Sequence, residues 1–333
     1  MEDSKPKERD GVKEFIISAA DDGRKLEKWL IREMPTVGMG MRQKLYRQKC
    51  FKLNGAHVKG DARLAKGDVL QIYASDALFE KPRREDPFLS KIRPELRILY
   101  EDENLLLADK RPGLMTHPDA SEKVRTLLTH AQAYLYQKGE YDPAEPGAFA
   151  PALCNRIDRF TGGIVIIAKN RAAMQVLNQK IRDREIGKFY YCIALGSFSR
   201  REGLLDNYIV KAPGAKRVTV SERMVPDGQR AQTKYRVLCQ KNGLSLVECE
   251  LLTGRTHQIR AQMAHAGHPL LGDSQYGDPR RNEKYGRSYQ ALYAYKLRFD
   301  FSTDAGPLNG LKGREFTVPE VRFIAEYFPE YRP

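Results

Sequence analysis

The residues best suited to chemistry lie in Asn155-Arg156-Ile157-Asp158-Arg159-Phe160-Thr161-Gly162-Gly163, a charged, glycine-punctuated turn that runs into the apolar Ile164-Val165-Ile166-Ile167-Ala168-Lys169. An Asp at such a junction can be held rigidly by the following strand while its carboxylate stays open to solvent, as a nucleophile or a stabiliser of positive charge must be. An Asp in a turn more often closes the turn itself, and spacing alone favours that plainer role for Asp158. Arg260 lies in Leu251–Gly277, LLTGRTHQIRAQMAHAGHPLLGDSQYG. Thr256–Ala266 reads as a helix there, with Arg260 one turn after Thr256 on the same face. A surface arginine on an amphipathic helix fits as well. Tyr190 belongs to Lys188-Phe189-Tyr190-Tyr191-Cys192-Ile193-Ala194, where a packed core tyrosine is the competing reading. His257, His265 and His268 are spaced by eight and three residues. That spacing does not gather them on one helix face beside a carboxylate, so capping and hydrogen-bonding roles are expected and no metal. The glycines of TGGIV and LTGR lack the P-loop and dinucleotide patterns, so no nucleotide cofactor is expected.

These side chains need elements to position them. Strands are predicted at 96–100, 105–109, 163–169, 190–196, 233–240 and 245–252, and helices at Arg171–Arg184, with Met174, Leu177 and Ile181 on one face, and at Thr256–Ala266. Strands and helices mix without regular alternation, which predicts an α+β fold. Ahead of this unit, residues 1–12 read as a mobile tail and 13–75 as a small basic unit. In the latter, Arg24–Met34 reads as a helix with Leu26, Trp29 and Leu30 on one face and Pro35 at its end, and Met41–Lys49 as a second, short helix. Asn54-Gly55 signals a hairpin between Phe51-Lys52-Leu53 and Val58-Lys59, and Lys66–Ile72 a turn followed by a strand. Residues 76–95, with Pro82, Pro87, Pro94 and the charge run Lys81–Asp86, read as a linker, and 96–333 as one larger domain.

Composition narrows the function classes. Of 333 residues 41% are hydrophobic, enough for a packed core, so wholesale disorder is excluded. Lys and Arg number 57 against 43 Asp and Glu, a formal charge of +14, which suits a polyanion because neutralised phosphates release counterions. The five cysteines are scattered, an odd number with no C-x-x-C pair, so neither a disulfide framework nor a structural zinc site is expected and a reducing compartment fits. The opening MEDSKPKERDG lacks the apolar stretch of a signal peptide, and Ile164–Ala168 is far too short to span a bilayer. A cytoplasmic protein without a membrane partner is expected.

In the small unit Arg42, Lys44, Arg47, Lys49, Lys52 and Lys59 crowd together, nearly all of one sign. Like charges repel unless a partner neutralises them, so a phosphate backbone is the expected ligand of this face. The segment RKLEKWLIREMP…MRQKLYRQKCFKLNGAHVKGDARLAKGDVLQI resembles the alpha-L RNA-binding module, over most of residues 13–75, which implies RNA binding and nothing of catalysis.

The Asp158 stretch resembles the signature HRLDxxTSGxxxxAK of the RluA family of pseudouridine synthases, with Arg156, Asp158, Thr161, Gly163, Ala168 and Lys169 matching. Asn155 stands where His is usual and Gly162 where Ser is usual. Three further stretches match in order: Leu105–Pro118 the family's first motif, with Arg111 for an expected Pro; Lys188–Ala194 its KxYxA element; and Leu251–Gly277 its TGRxHQIRxHxxxxGxPIxGDxxYG motif, with Gln262 for a common His. The resemblance spans about 96–300 and is of the RluC/RluD-like, ribosomal large-subunit type. It implies a small α+β RNA-binding module followed by a pseudouridine synthase domain, whose mixed, mainly antiparallel sheet is flanked by helices and loops.

The implied reaction breaks the nitrogen–carbon glycosidic bond of uridine, turns the uracil and rejoins it through carbon. It is redox-neutral and needs neither cofactor nor metal. By resemblance Asp158 is the catalytic carboxylate, Arg260 the guanidinium that holds it by a bidentate pair, Tyr190 a proton relay and Arg156 the cation that fills the place of a flipped base. Lys188 and Arg255 join Arg156 as substrate-binding residues, with Arg42, Lys44, Arg47 and Lys49 on the small unit. The expected partner is RNA, 23S-type ribosomal RNA before transfer RNA, and a monomer is expected. Two other classes remain: a non-catalytic RNA-binding, ribosome-associated factor, for which Asp158, Tyr190 and Arg260 together have no use, and a glycosidase-like hydrolase, which needs a second carboxylate at the scissile bond.

Overall fold

The computed structural model describes residues 8–9, 11–34, 37–75, 78–79, 88–145 and 147–332. The chain divides into two compact units, 1–85 and 86–333. Pro35, Pro82, Pro87 and the charge run 81–86, used above to mark a helix end and a linker, lie outside the described residues.

The first unit comprises β1 (Glu8–Arg9), β2 (Val12–Ile16), α1 (Leu26–Glu33), α2 (Met39–Arg47), β3 (Phe51–Leu53), β4 (Ala56–His57) and β5 (Val69–Tyr73). The strands form an antiparallel sheet in the order β1-β2-β5-β3-β4. Asn54 and Gly55 both take positive φ, 51° and 83°, the two-residue turn that their types favour. Leu26, Trp29 and Leu30 of α1 pack with Leu45, Phe51, Leu70 and Ile72. Each side chain so buried contributes roughly 1.5–3 kcal/mol. Of the tail expected at 1–12, residues 8–9 and 12 are strand, because Glu8 and Arg9 pair with Lys13 and Val12. The linker expected at 76–95 is likewise too long: Leu89 and Ile92 are buried against Ala133 and Tyr136 of the second unit's own core.

The second unit comprises β6 (Ile98–Glu101), β7 (Leu105–Lys110), α3 (Leu127–Lys138), β8 (Ala152–Leu153), β9 (Gly162–Ala168), α4 (Arg171–Arg182), β10 (Ile186–Leu195), β11 (Glu202–Val210), β12 (Thr219–Ser221), β13 (Gln229–Lys241), β14 (Leu244–Leu251), α5 (Gln258–His265), α6 (Pro279–Lys284), β15 (Leu292–Phe299), β16 (Glu315–Thr317) and α7 (Arg322–Tyr327). Its strands run β12-β11-β13-β14-β10-β15-β9-β7-β6, with β16 beside β15 and β8 beside β9. Among the described residues only the strands β15 and β9 pair in parallel, so the sheet is mixed and mainly antiparallel, within an α+β fold.

Strand periodicity of two sorts the core into two layers. Leu105, Leu107, Ile164, Ile166, Tyr191 and Ile193 face one side, with α4 and the C-terminal segment. Leu106, Ala108, Val165, Ile167, Tyr190 and Cys192 face the other, with Leu127 and Ala131 of α3 and Ile259 and Met263 of α5. Tyr190 and Ile157 thus share a face with α5, and that parity brings the reactive candidates together. α3 carries clear end signals, Thr126 accepting from the Thr129 N–H and Gly139 in the left-handed region at φ 83°. It escaped sequence reading because it is buried almost all round, which erases the one-sided stripe.

The parallel junction of β9 and β15 explains the paired glycines. A Cβ at Gly162 would lie 2.3 Å from Tyr293 Cε2, and one at Gly163 2.1 Å from the Ala294 carbonyl oxygen, where φ is +116°. The Tyr293 ring fills the room that a residue-162 side chain would need. The turn carrying Asp158 is thereby anchored where the two parts of the sheet meet.

Candidate active site

Three backbone carbonyls shape the turn that presents Asp158. Lys110, fully buried at the end of β7, donates from Nζ to Leu114 O (2.8 Å), Arg159 O (2.9 Å) and Arg111 O (3.2 Å). Gly113 and Arg159 bridge the same loops: the Gly113 N–H donates to Arg159 O (2.8 Å) and Arg159 Nε to Gly113 O (3.1 Å). Thr116 Oγ1 donates to Ile157 O (2.7 Å), and the Thr161 N–H closes the turn on Asp158 O (3.0 Å). Burial pushes the Lys110 ammonium down to about 7, against the pull of Asp158 and Asp109.

Arg260 is 4% exposed and reaches three side chains. Its Nη1 donates to Asp158 Oδ2 (2.8 Å), its Nε and Nη2 to the Asp273 carboxylate (2.7 and 3.0 Å), and Nη2 also to Gln275 Oε1 (2.7 Å). The expected partnership of Asp158 and Arg260 is therefore present, yet the bidentate pair belongs to Asp273. Asp158 receives one bond, and its side chain stays 28% exposed. Asp273 is fully buried, and burial works to raise its carboxyl. Arg260 and the N–H groups of Tyr276 and Gln275 prevail and hold it below the usual carboxylate range. Asp273 was missed as a functional residue although it stands in the GDxxYG part of the matched motif, which was the signal.

The helix bearing Arg260 begins at Gln258, because His257 takes a left-handed φ of 55° just before it. Thr256 lies outside that helix, so the shared face expected for Thr256 and Arg260 does not form. The kink aims His257 at the site. Its Nε2 is 3.8 Å from Asp158 Oδ2 and its Nδ1 3.0 Å from Tyr276 Oη, which itself accepts from the Val218 N–H (2.8 Å). Burial lowers the His257 pKa more than Asp158 raises it. His265 pairs with Glu222 (2.6 Å) and His268 stacks on Phe198 at 3.7 Å, so the three histidines have separate partners. Gln258 and Gln262 pin α5 to the sheet: Gln258 Nε2 donates to Thr233 Oγ1 (2.9 Å) and Gln262 Nε2 to Ala231 O (2.9 Å). Asn155, where the family has His, accepts the Ile166 N–H at 2.8 Å.

A cavity of about 670 Å³ opens on Asp158, and Tyr190, Lys188, Arg156, Arg255 and Arg260 line it too. The six candidates from the second unit are thus brought to one place. Arg159, Arg182 and Arg184 also face it, which sequence reading had not singled out, and Asp158 is the one acid among its described lining residues. Tyr190 is 6% exposed, and its phenol has no hydrogen bond among the described residues; burial first, then the charge of Asp158, pushes its pKa up. Desolvation lowers the Lys188 ammonium, which has no counter-ion among the described residues. Arg156 is exposed and forms no salt bridge there. Arg255 donates from Nε to Arg230 O (3.2 Å).

On the first unit the four expected cations divide. Arg42 is committed internally: its Nε donates to Glu27 Oε1 (2.8 Å), its Nη1 to Val37 O, and its side chain is 11% exposed. A cation so held is not free for phosphate, which corrects its assignment. Lys44, Arg47 and Lys49 are exposed and unpaired among the described residues. Lys49 lies beyond the end of α2, at φ 59°. Among the described residues no helix is long and apolar enough to cross a membrane.

Residues 104–265 match the family model described as RNA pseudouridylate synthase. The chain is 29% identical over 303 residues to a ribosomal large subunit pseudouridine synthase C of Vibrio vulnificus, covering 88% of this chain and 90% of that protein. It is 32% identical over 297 residues to the uncharacterized RNA pseudouridine synthase YhcT of Bacillus subtilis, covering 86% and 88%. The structure of human RNA pseudouridylate synthase domain containing 4 matches with a TM-score of 0.54 at 22% identity, over 68% of this chain and 90% of that one, a likeness of fold.

Proposed function

We infer the machinery of this protein from one premise: the chain belongs to the RNA pseudouridine synthase family, isomerases that convert uridine to pseudouridine in RNA. Asp158 is the catalytic carboxylate. The observation that carries this reading is the single bond from buried Arg260 to a half-open Asp158 in a cavity walled by cations. In the reaction the N1–C1′ bond of uridine breaks, C5 bonds to C1′, C5 loses a proton and N1 gains one. A lone, oriented acid suits the positive charge that develops on the sugar or the attack on it. Asp273 offers no second acid for hydrolysis, since it is sealed and held by Arg260. Tyr190 relays the C5 proton. Its raised pKa keeps it protonated, so it must hand on its own proton as it accepts another. Arg156, exposed on the cavity wall and without a salt bridge among the described residues, takes the space of the flipped base, while Lys188 and Arg255 hold phosphate or base.

The substrate is large-subunit ribosomal RNA, a reading supported by the name of the Vibrio vulnificus relative; the protein acts as a cytoplasmic monomer without cofactor. Mapping pseudouridines in total RNA with and without the gene tests this. Loss of particular ribosomal positions is expected. Losses confined to transfer RNA would move the substrate, and no loss at all would remove the reaction.

The first unit is an alpha-L type RNA grip that uses Lys44, Arg47 and Lys49. Changing all three to Gln should weaken RNA binding at low salt and reduce the slope of log K against log[salt] by about two, at roughly 0.7 per single-stranded phosphate contact. An unchanged slope would place the grip elsewhere.

A further inference from the structure

We propose that Phe160 and Tyr289 form a stacking platform for an unpaired RNA base beside the target uridine; this rests on the reading of Asp158 as the catalytic residue. The two rings come from segments far apart in sequence, yet their centroids lie 6.0 Å apart at an interplanar angle of 22°. Both remain open, Phe160 at 43% and Tyr289 at 37% exposure. Single exposed apolar residues are ordinary on any surface. A stacked pair left in solvent, two residues from the acid, is a feature of a different kind.

The platform is built rather than incidental. One residue beyond each ring, Gln290 Nε2 donates to Thr161 Oγ1 at 3.3 Å inside the protein, clipping the two segments together. Behind Tyr289, Arg287 lies 5.0 Å from its ring centroid and donates from Nε to Tyr289 O at 3.1 Å. Before Phe160, the Thr161–Asp158 turn and the Lys110 bond to Arg159 O fix the backbone. The rings are thus ordered before any ligand arrives, so little entropy is lost on binding.

The occupant follows from charge and shape. The Arg159 guanidinium lies 5.4 Å from the Phe160 centroid and also faces the cavity. An aromatic face with a planar cation beside it suits a nucleobase and its phosphate, the arrangement by which single-stranded RNA is held with little regard to sequence. Pulling a uridine into the cavity unstacks its neighbour, and that neighbour needs a new surface. Phe160 sits between Arg159 and Thr161, which both line the cavity, and so with Tyr289 can supply that surface.

The probe is a short oligouridylate carrying one 2-aminopurine, whose fluorescence falls when it stacks. The full-length protein should quench it. Phe160→Leu and Tyr289→Ala should each bind on the order of tenfold more weakly with the quenching lost, whereas Phe160→Trp should keep both. Leu retains the apolar volume, so a purely packing role for Phe160 would leave the signal unchanged. Equal affinity and quenching in Phe160→Leu, or no quenching by the wild type, would overturn the proposal, as would loss of self-association in Phe160→Leu with RNA binding intact. Quenching without pseudouridine formation on ribosomal RNA transcripts would instead sink the catalytic reading and leave the platform standing.

Discussion

Replacing Asp158 by Asn is expected to reduce pseudouridine formation by at least about a thousandfold, or about 4 kcal/mol of lost transition-state stabilisation, with folding and RNA binding retained. The amide keeps the shape and can still accept from Arg260 Nη1, but it has neither the charge nor the nucleophilicity. Arg260 keeps its three other bonds, to Asp273 and Gln275, so the buried part of the network survives. RNA affinity should change little, and any change should be towards tighter binding, since one negative charge facing phosphate is removed. The check pairs a tritium-release or mapping assay with a binding titration on the same RNA. Wild-type turnover in purified Asp158→Asn would end the assignment, and a matching collapse of binding would make Asp158 a structural residue.

Replacing Asp273 by Ala should act on the fold first. It leaves the Arg260 guanidinium buried with only one carboxylate, Asp158, and removing one partner of a buried pair costs about 3–5 kcal/mol. The arginine should then shift towards Asp158, and misplacement on the scale of an ångström costs roughly a hundredfold in rate. The pH dependence carries a definite sign. The Asp273 carboxyl is depressed in the folded chain, so its stabilisation is fully present above the unfolded value of 3.8 and fades as pH falls through the lower folded value. Wild type and Asp273→Ala should therefore differ most at neutral pH and converge in acid. Denaturant midpoints across that range measure it. A gap smaller than about 1 kcal/mol at pH 7 would show that Arg260 does not depend on this partner.

Much of the candidate site was legible along the chain because its parts sit in stretches that resemble family motifs. Asp158 stands in a turn before a β-branched run, Arg260 in a stretch matching a family motif, Tyr190 in a strand. All three, with Arg156, Arg255 and Lys188, line one cavity. The strands were legible too, because alternation and β-branching survive in a sheet buried on both faces. The less legible elements were those without contrast, such as α3, buried almost all round.

What the order of residues determined by itself was the two-unit plan and the α+β class, since charge and periodicity are properties of neighbours in the chain; the kind of chemistry came only through the resemblance of its motifs to a family. Tertiary structure decided who holds whom. The fork of Arg260 closes on Asp273, thirteen residues on, and reaches Asp158, 102 residues back. Which carboxylate receives two bonds and which receives one depends on where the β9–β15 junction sets the Asp158 turn against α5. The same folding spends Arg42 on Glu27 while its neighbour Lys44 has no partner among the described residues. A side chain's partner is chosen by distance in space, which the chain alone does not encode locally, and burial then decides whether that choice is worth a fraction of a kilocalorie or several.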